Sequence, residues 1–288
     1  MNARSFFKWL LLAAVLSLQG CVTYLTPGTG APMRELVEGS DYNVAAYRKP
    51  AAQFPVRIAV AHLQSAGYQS FGARGVGSGT YSLVDVREVE RDSDFNAMMD
   101  WPQVFGVVPL SRALMPAKLE NFADLRDAAR AAQADVVFAY TFDTTFHVEN
   151  KTFAPEQEIT LGVLPGREAQ VNSTATGLFV DARTGFVYGL AQGNGSERSS
   201  MTQWTKPAAA DDTRIKAERA AFTNLMSNAA DTWKRIVSRY GGIVPVQYEQ
   251  LQMMPELPQP AAPAAIAPSG AVSVPPQAPD ATAATPPQ

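Results

Sequence analysis

From Asp212 to Tyr240 the chain carries Ile215, Phe222, Leu225, Met226, Ala229, Trp233, Ile236, Val237 and Tyr240 at steps of three and four. That spacing gathers apolar side chains on one stripe of a helix and leaves the charges on the other. Asp211 or Asp212 can cap its start, Lys234, Arg235 and Arg239 suit its end, and Gly241-Gly242 can close it. A stripe of this length has to be covered. The rest of the chain must therefore supply a sheet or helices for it to lie on.

Strand patterns are present upstream. Val56-Arg57-Ile58-Ala59-Val60-Ala61 follows Pro55, Tyr81 to Val89 alternates, and Val104 to Leu110 is mostly apolar. Asp135 to Phe142 is apolar on both faces, the pattern of a central strand. Asn172 to Val180 and Phe186 to Ala191 read as a hairpin across Asp181-Ala182-Arg183-Thr184-Gly185, with Gly185 at a positive φ. Two shorter helices fit between the strands. Ser93 to Trp101 is stopped by Pro102, and a second is capped by Asn121 and buries Phe122, Leu125, Ala129 and Ala132. The fold class expected is α/β (α+β): a mixed sheet of about five to six strands, two or three helices, and a long C-terminal amphipathic helix.

At the start of the chain Arg4 and Lys8 precede an apolar stretch from Trp9 to Leu18, which ends in Leu18-Gln19-Gly20-Cys21. A cationic start, roughly 7–15 apolar residues and small residues at the cut make a secretory signal. A spanning helix needs about 20 apolar residues, more than this run supplies. Ending on Leu-x-Gly-Cys, it resembles the bacterial lipobox. That resemblance implies cleavage between Gly20 and Cys21, a diacylglycerol on the Cys21 sulfur and an acyl chain such as palmitate on its amine. Val22 rather than aspartate comes next, which by the same resemblance favours the outer membrane and a periplasm-facing protein. More than one buried chain is what stable anchoring requires.

Four regions follow: a leader over residues 1–20, a lipidated tether over 21–52, an α/β domain over 53–250, and a Pro/Ala-rich tail over 251–288. The tail has too little apolar and charged character to order itself. Net charge is −3, and about −5 once Arg4 and Lys8 leave with the leader. No basic region remains that would attract nucleic acid. Cys21 is the sole cysteine and His62 and His147 are the sole histidines, which argues against disulfides, thiolate cages and histidine-rich zinc sites. Neither a cofactor nor a metal is implied.

The order of elements resembles the small α/β modules of envelope lipoproteins: the curli-secretion lipoprotein family, the lipoprotein activators of penicillin-binding proteins, and the amino-terminal domain of the Tol translocation protein B. The likeness is carried by Val56 to Val60, by Ala131-Ala132-Gln133-Ala134-Asp135-Val136-Val137, and by Leu178 to Gly185 with Tyr188-Gly189 before the long helix. Departures are the glycine-rich Gly67 to Gly79 in place of a helix, and Thr144 to Gln170, which reads as an insertion. Thr160 to Leu164 is too short for a spanning strand of about 9–11 residues, so the pore activity of the curli family does not transfer.

Chemistry-bearing motifs are few. Gly72 to Gly79 lacks the following helix that a phosphate loop requires, so a flexible loop or bulged hairpin is expected. Gly193-Asn194-Gly195-Ser196-Glu197 lacks the last glycine of a nucleophile elbow. Asp135, Asp143, His147 and Glu149 invite an acid–base reading, but the aspartates sit where a strand would start and end, and no nucleophile accompanies them. Trp233 is expected in the core. Trp204, in a loop, is the one residue marked as a partner anchor, although packing back on its own domain is the commoner fate of such a residue. The function expected is a non-enzymatic, lipid-anchored binding module with a protein partner in envelope assembly or maintenance. A subunit of an oligomeric secretion complex and an envelope hydrolase are the alternatives.

Overall fold

The computed structural model describes residues 22–34, 48–149, 151–161, 168–204 and 206–242. The leader, Gly20, Cys21, residues 243–250 and the 251–288 tail lie outside the described residues. In chain order the strands are β1 (Thr23–Leu25), β2 (Val56–Ser65), β3 (Ser78–Gly79), β4 (Tyr81–Leu83), β5 (Val104–Pro109) and β6 (Lys118–Leu119). They continue as β7 (Val136–Val148), β8 (Lys151–Phe153), β9 (Glu158–Thr160), β10 (Glu168–Asp181) and β11 (Val187–Ser200). The α-helices described over their whole length are α1 (Asp92–Met98), α2 (Phe122–Ala131) and α3 (Pro207–Tyr240).

β2 is the hub. On one side Ile58 to His62 pair in parallel with Val136 to Tyr140 of β7. On the other, Val56 to Val60 pair in parallel with β5, and Leu63 to Ser65 pair antiparallel with β4. The sheet then runs antiparallel from β7 to β10 to β11, and β8 folds back on the end of β7. The result is a mixed α/β fold with a seven-stranded sheet, as the sequence pattern predicts in class. Both β2 and β7 are buried on both faces at their paired centre, which is why their sequences read as nearly continuous apolar runs.

Alternation along β7 sorts the two cores. Val136, Phe138, Tyr140 and Phe142 face α3 and α1, where they meet Phe222, Leu225 and Trp233. Val137 and Ala139 face the opposite way, toward Phe122, Leu125 and Ala129 of α2. The Asn121 side chain accepts from the N–H groups of Ala123 (2.8 Å) and Asp124 (3.3 Å), the cap the sequence predicts. Gly185 has φ 73° and closes the hairpin turn. Trp233 is fully buried, as expected.

Several boundaries differ from expectation, each for a physical reason. The Tyr81 strand stops at Leu83 because Asp85, Val86 and Arg87 turn outward while Glu88 and Glu90 turn inward to Arg214 and His62. α3 begins at Pro207, with proline in the first turn where its missing N–H costs nothing. Neither Asp211 nor Asp212 caps it; Asp211 is inside the helix and buried. β7 and β10 run on through the supposed insertion to Val148 and from Glu168.

The 21–52 tether also needs correction at both described ends. Thr23 to Leu25 pair with β9, and Ala31 and Met33 are buried in the α2-side core. At the other end, Asp181 accepts from the N–H groups of Ala51 (2.7 Å) and Ala52 (2.8 Å). The same carboxylate accepts from Tyr188 Oη (2.7 Å), Arg183 N (2.8 Å) and Thr184 N (2.9 Å). Burial alone would raise its pKa, but these donors outweigh it and hold the group below the usual carboxylate range.

Candidate functional site

Three features stand apart from ordinary core. The first is the lock on the segment that follows Cys21. Tyr24 is inserted between Phe146 of β7 and the start of α3, its ring centroid 5.7 Å from that of Phe146. Its hydroxyl donates to Asp211 Oδ1 at 2.9 Å. Asp211 in turn holds Arg214 (2.7 Å), whose guanidinium also reaches Glu218 (2.5 Å) and Glu88 (3.0 Å). Arg214 is 1% exposed, so one buried cation is shared by three carboxylates.

Remaining polar atoms of this cluster have partners too. Thr144 Oγ1 donates to Glu218 Oε1 (2.8 Å), and Ser70 Oγ donates to Glu88 Oε2 (2.7 Å). Desolvation pushes the Glu218 carboxyl above its usual range despite the opposing pull of Arg214. Desolvation, with Asp211 next, also raises Tyr24, which keeps it a neutral donor. Arg214 and Glu218 interrupt the apolar stripe of α3 one turn apart. Seen in sequence, they look like solvent-facing charges.

The second feature is a recess of about 280 Å³ at the C-terminal part of β2, where His62, Glu90, Tyr140 and Arg87 meet an apolar wall that includes Phe95 and Leu110. Tyr140 Oη donates to Glu90 Oε1 at 2.6 Å, and His62 Nδ1 lies 3.1 Å from the same oxygen. The second contact has ion-pair distance without hydrogen-bond alignment. His62 stacks on Tyr140 with centroids 5.0 Å apart. With the Gln64 amide oriented to satisfy its neighbours, Gln64 Oε1 accepts from His62 Nε2 at 3.1 Å. Burial would raise the Glu90 carboxyl, but His62 and the Tyr140 hydroxyl outweigh it and bring it down to about 2. The site is a carboxylate held by the Tyr140 hydroxyl with His62 beside it.

The third feature is the contrast between the two sheet edges. On β11, the outward carbonyls of Asn194, Gln192 and Leu190 accept from Asn224 (2.8 Å), Asn228 (2.7 Å) and Thr232 (3.3 Å) of α3. Four helical residues advance about 6.0 Å and two strand residues about 6.7 Å, so the two ladders stay in step. Gly193 and Gly195 let the helix backbone come this close, since a Cβ at either would collide with it. Here lies the use of the Gly-x-Gly motif in β11. At the other edge β5 pairs with β2, and among the described residues no further strand pairs with it. Its Phe105 is 52% exposed, with the Arg57 guanidinium 5.4 Å from the ring centroid.

The sequence-marked residues fare unevenly. Trp204 is not an exposed anchor: it is fully buried against Phe146, and its Nε1 donates to Thr213 Oγ1 at 3.1 Å. Asp135 accepts from Arg57 N–H (3.1 Å), a structural role at the head of β7. Asp143 and His147 lie on the face of β7 turned away from α3, where Thr152 Oγ1 is 2.9 Å from His147 Nδ1. Gly72 to Gly79 forms small bridges, Gln69 to Arg74 and Val76 to Leu83, consistent with a bulged hairpin. Among the described residues, no cluster of His, Cys, Asp and Glu is arranged to hold a metal, and no helix is long and apolar enough to cross a membrane.

No protein-family model matches the chain, and no curated protein matches it. Among solved structures it is similar to a Helicobacter pylori protein described as a neuraminyllactose-binding hemagglutinin homolog. That match has 10% identity and a TM-score of 0.29, covering 66% of this chain and 94% of the other. A likeness this weak assigns neither a class nor an activity.

Proposed function

We propose that this chain is a lipid-anchored outer-membrane lipoprotein, facing the periplasm, that presents a folded α/β body to a protein partner without chemistry of its own. One observation carries the reading. An apolar leader ends in Leu18-Gln19-Gly20-Cys21, and among the described residues the first strand starts two residues later at Thr23. Such a junction suits a cysteine that becomes the first residue of the mature protein.

The likeness of element order to envelope lipoprotein modules supports the envelope role. For the partner contact, the open β5 edge with Phe105 and Arg57 replaces Trp204. Aromatic and arginine side chains dominate interface energetics, and an unpaired strand edge offers backbone groups to an extended segment.

Metabolic labelling with palmitate tests the address. The wild-type chain should incorporate label and fractionate with outer membrane, while Cys21→Ser should remain unlabelled and keep its leader. Labelling of Cys21→Ser, or an unlabelled wild type, overturns the reading. For the contact surface, a photo-crosslinker at Phe105 should form an adduct that one at Leu190 does not; equal crosslinking at both positions removes β5 from the proposal.

A further inference from the structure

The chain is fixed to the fold from the first residue after Cys21. Leu161 N–H donates to the Val22 carbonyl at 2.9 Å, Thr23 to Leu25 pair with β9, and Tyr24 is fastened to Asp211. Neighbouring Cα atoms are about 3.8 Å apart, so a group bonded to Cys21 is attached to the body with almost no slack.

Three of the side chains that face water around this attachment point are apolar, and Thr23, Thr160 and Glu158 of the β1–β9 pair are exposed beside them. Val22 is 44% exposed, Leu25 51% and Phe71 60%. Leu25 and Phe71 share one cleft with Gln69, Ser70 and Pro207. A run of three strand residues covers about 10 Å, comparable to the roughly 5–10 Å by which apolar faces sink into the headgroup region.

We propose that this end of the molecule is a membrane-seating surface, in which the phospholipid bilayer covers Val22, Leu25 and Phe71. The domain then stands directly on lipid in one orientation and does not swing on a tether. This inference rests on the lipidation reading above and adds to it a contact surface and a posture. The choice of a bilayer over a protein follows from the covalent attachment: acyl chains on Cys21 bring the lipid surface to these side chains.

The orientation is specific. Tyr24 packs on Phe146, near the C-terminal end of β7. Leu190, 61% exposed, lies across from Leu178, which pairs with Ala139. Ala139 is seven positions before Phe146 on β7, or about 23 Å at the usual strand rise. Leu190 is thus held away from the bilayer and serves as the aqueous reference.

Cys21 is the sole cysteine, and acylation consumes its thiol, so one added cysteine gives one labelling position. Full-length acylated protein carrying Phe71→Cys, Leu25→Cys or Leu190→Cys would be labelled with a nitroxide and bound to vesicles of phosphatidylethanolamine and phosphatidylglycerol. Labels at 71 and 25 should be relaxed several-fold more by oxygen, relative to a water-soluble nickel chelate, than the label at 190. Two positions in the patch keep the test decisive should one variant misfold. Equal nickel access at all three sites, on protein shown by mass to be acylated and by flotation to be vesicle-bound, overturns the seating and leaves lipidation standing. A mass showing an unmodified Cys21 instead overturns both.

Discussion

Tyr24 Oη donates to Asp211 Oδ1 across 187 positions of sequence, at 2.9 Å and out of water. The bond ties the segment following Cys21 to the first turns of α3, and through Asp211 to Arg214. A residue three positions from the leader cysteine is therefore part of the buried charge cluster and does not belong to a spacer. The β1 strand and the body of the domain form one mechanical unit.

Tyr24→Phe should release that unit locally. Loss of a hydrogen bond to a charged group costs about 1.5–3 kcal/mol, and Asp211 keeps Arg214 as a partner. Hydrogen exchange should quicken at the β1 and β9 amides while the central β7 amides retain their protection. Unchanged exchange in β1 would show that Tyr24 contributes nothing to the lock.

Removing Arg214 should be much worse. Arg214→Met leaves Asp211 and Glu218 buried, with the partly buried Glu88 beside them, around an apolar side chain. Uncompensated buried charge typically costs about 3–5 kcal/mol. Denaturant unfolding followed by tryptophan fluorescence should show that loss, partly restored in Arg214→Met combined with Glu218→Gln. A loss below about 1 kcal/mol, the range of exposed ion pairs, would mean that the cluster is solvated in solution.

Much of the architecture was legible because it rests on local rules. Asn121 announces α2, Gly185 announces the hairpin turn, and Val136 to Tyr140 announces a central strand. What escaped depends on distant partners. β1 is three residues long and has no periodicity to read; its position follows from Tyr24 finding Asp211 and Phe146. Arg214 and Glu218 resemble solvated helix charges until Glu88 and Thr144 arrive from other elements. Trp204 lies on a loop, as its neighbours in sequence predict, yet its burial against Phe146 is decided by the extension of β7 beyond Phe142. The open β5 edge is a property of topology, so no residue pattern announces Phe105.

Gly193 supplies a test of the helix-covered edge. A methyl group at Gly193 would fall inside contact distance of the α3 backbone at Ala221 and Leu225, whereas one at Gly242 would meet nothing. Gly193→Ala should destabilise by about 1–3 kcal/mol through overpacking, and it should also loosen the Asn224 and Asn228 contacts to β11. Gly242→Ala should leave the thermal midpoint within measurement error. Equal midpoints for the two variants would contradict the close approach of α3 to β11.

Glu90 predicts the acid branch of the stability curve. Its carboxyl lies at about 2 in the fold against an ordinary 4.5. A depressed value means that the stabilisation is fully present above about 4.5 and is lost as pH falls toward 2. Glu90→Gln should therefore flatten the fall in stability across that window and lower stability at neutral pH. An acid branch as steep as that of wild type would place the responsible proton uptake elsewhere.

The most direct measurement is the mass of the N-terminal peptide of mature protein extracted from membranes. It should begin at Cys21 and carry a diacylglycerol on sulfur and an acyl chain on the amine. A peptide that begins elsewhere, or that shows Cys21 with a free thiol, would contradict both the anchor and the posture built on it.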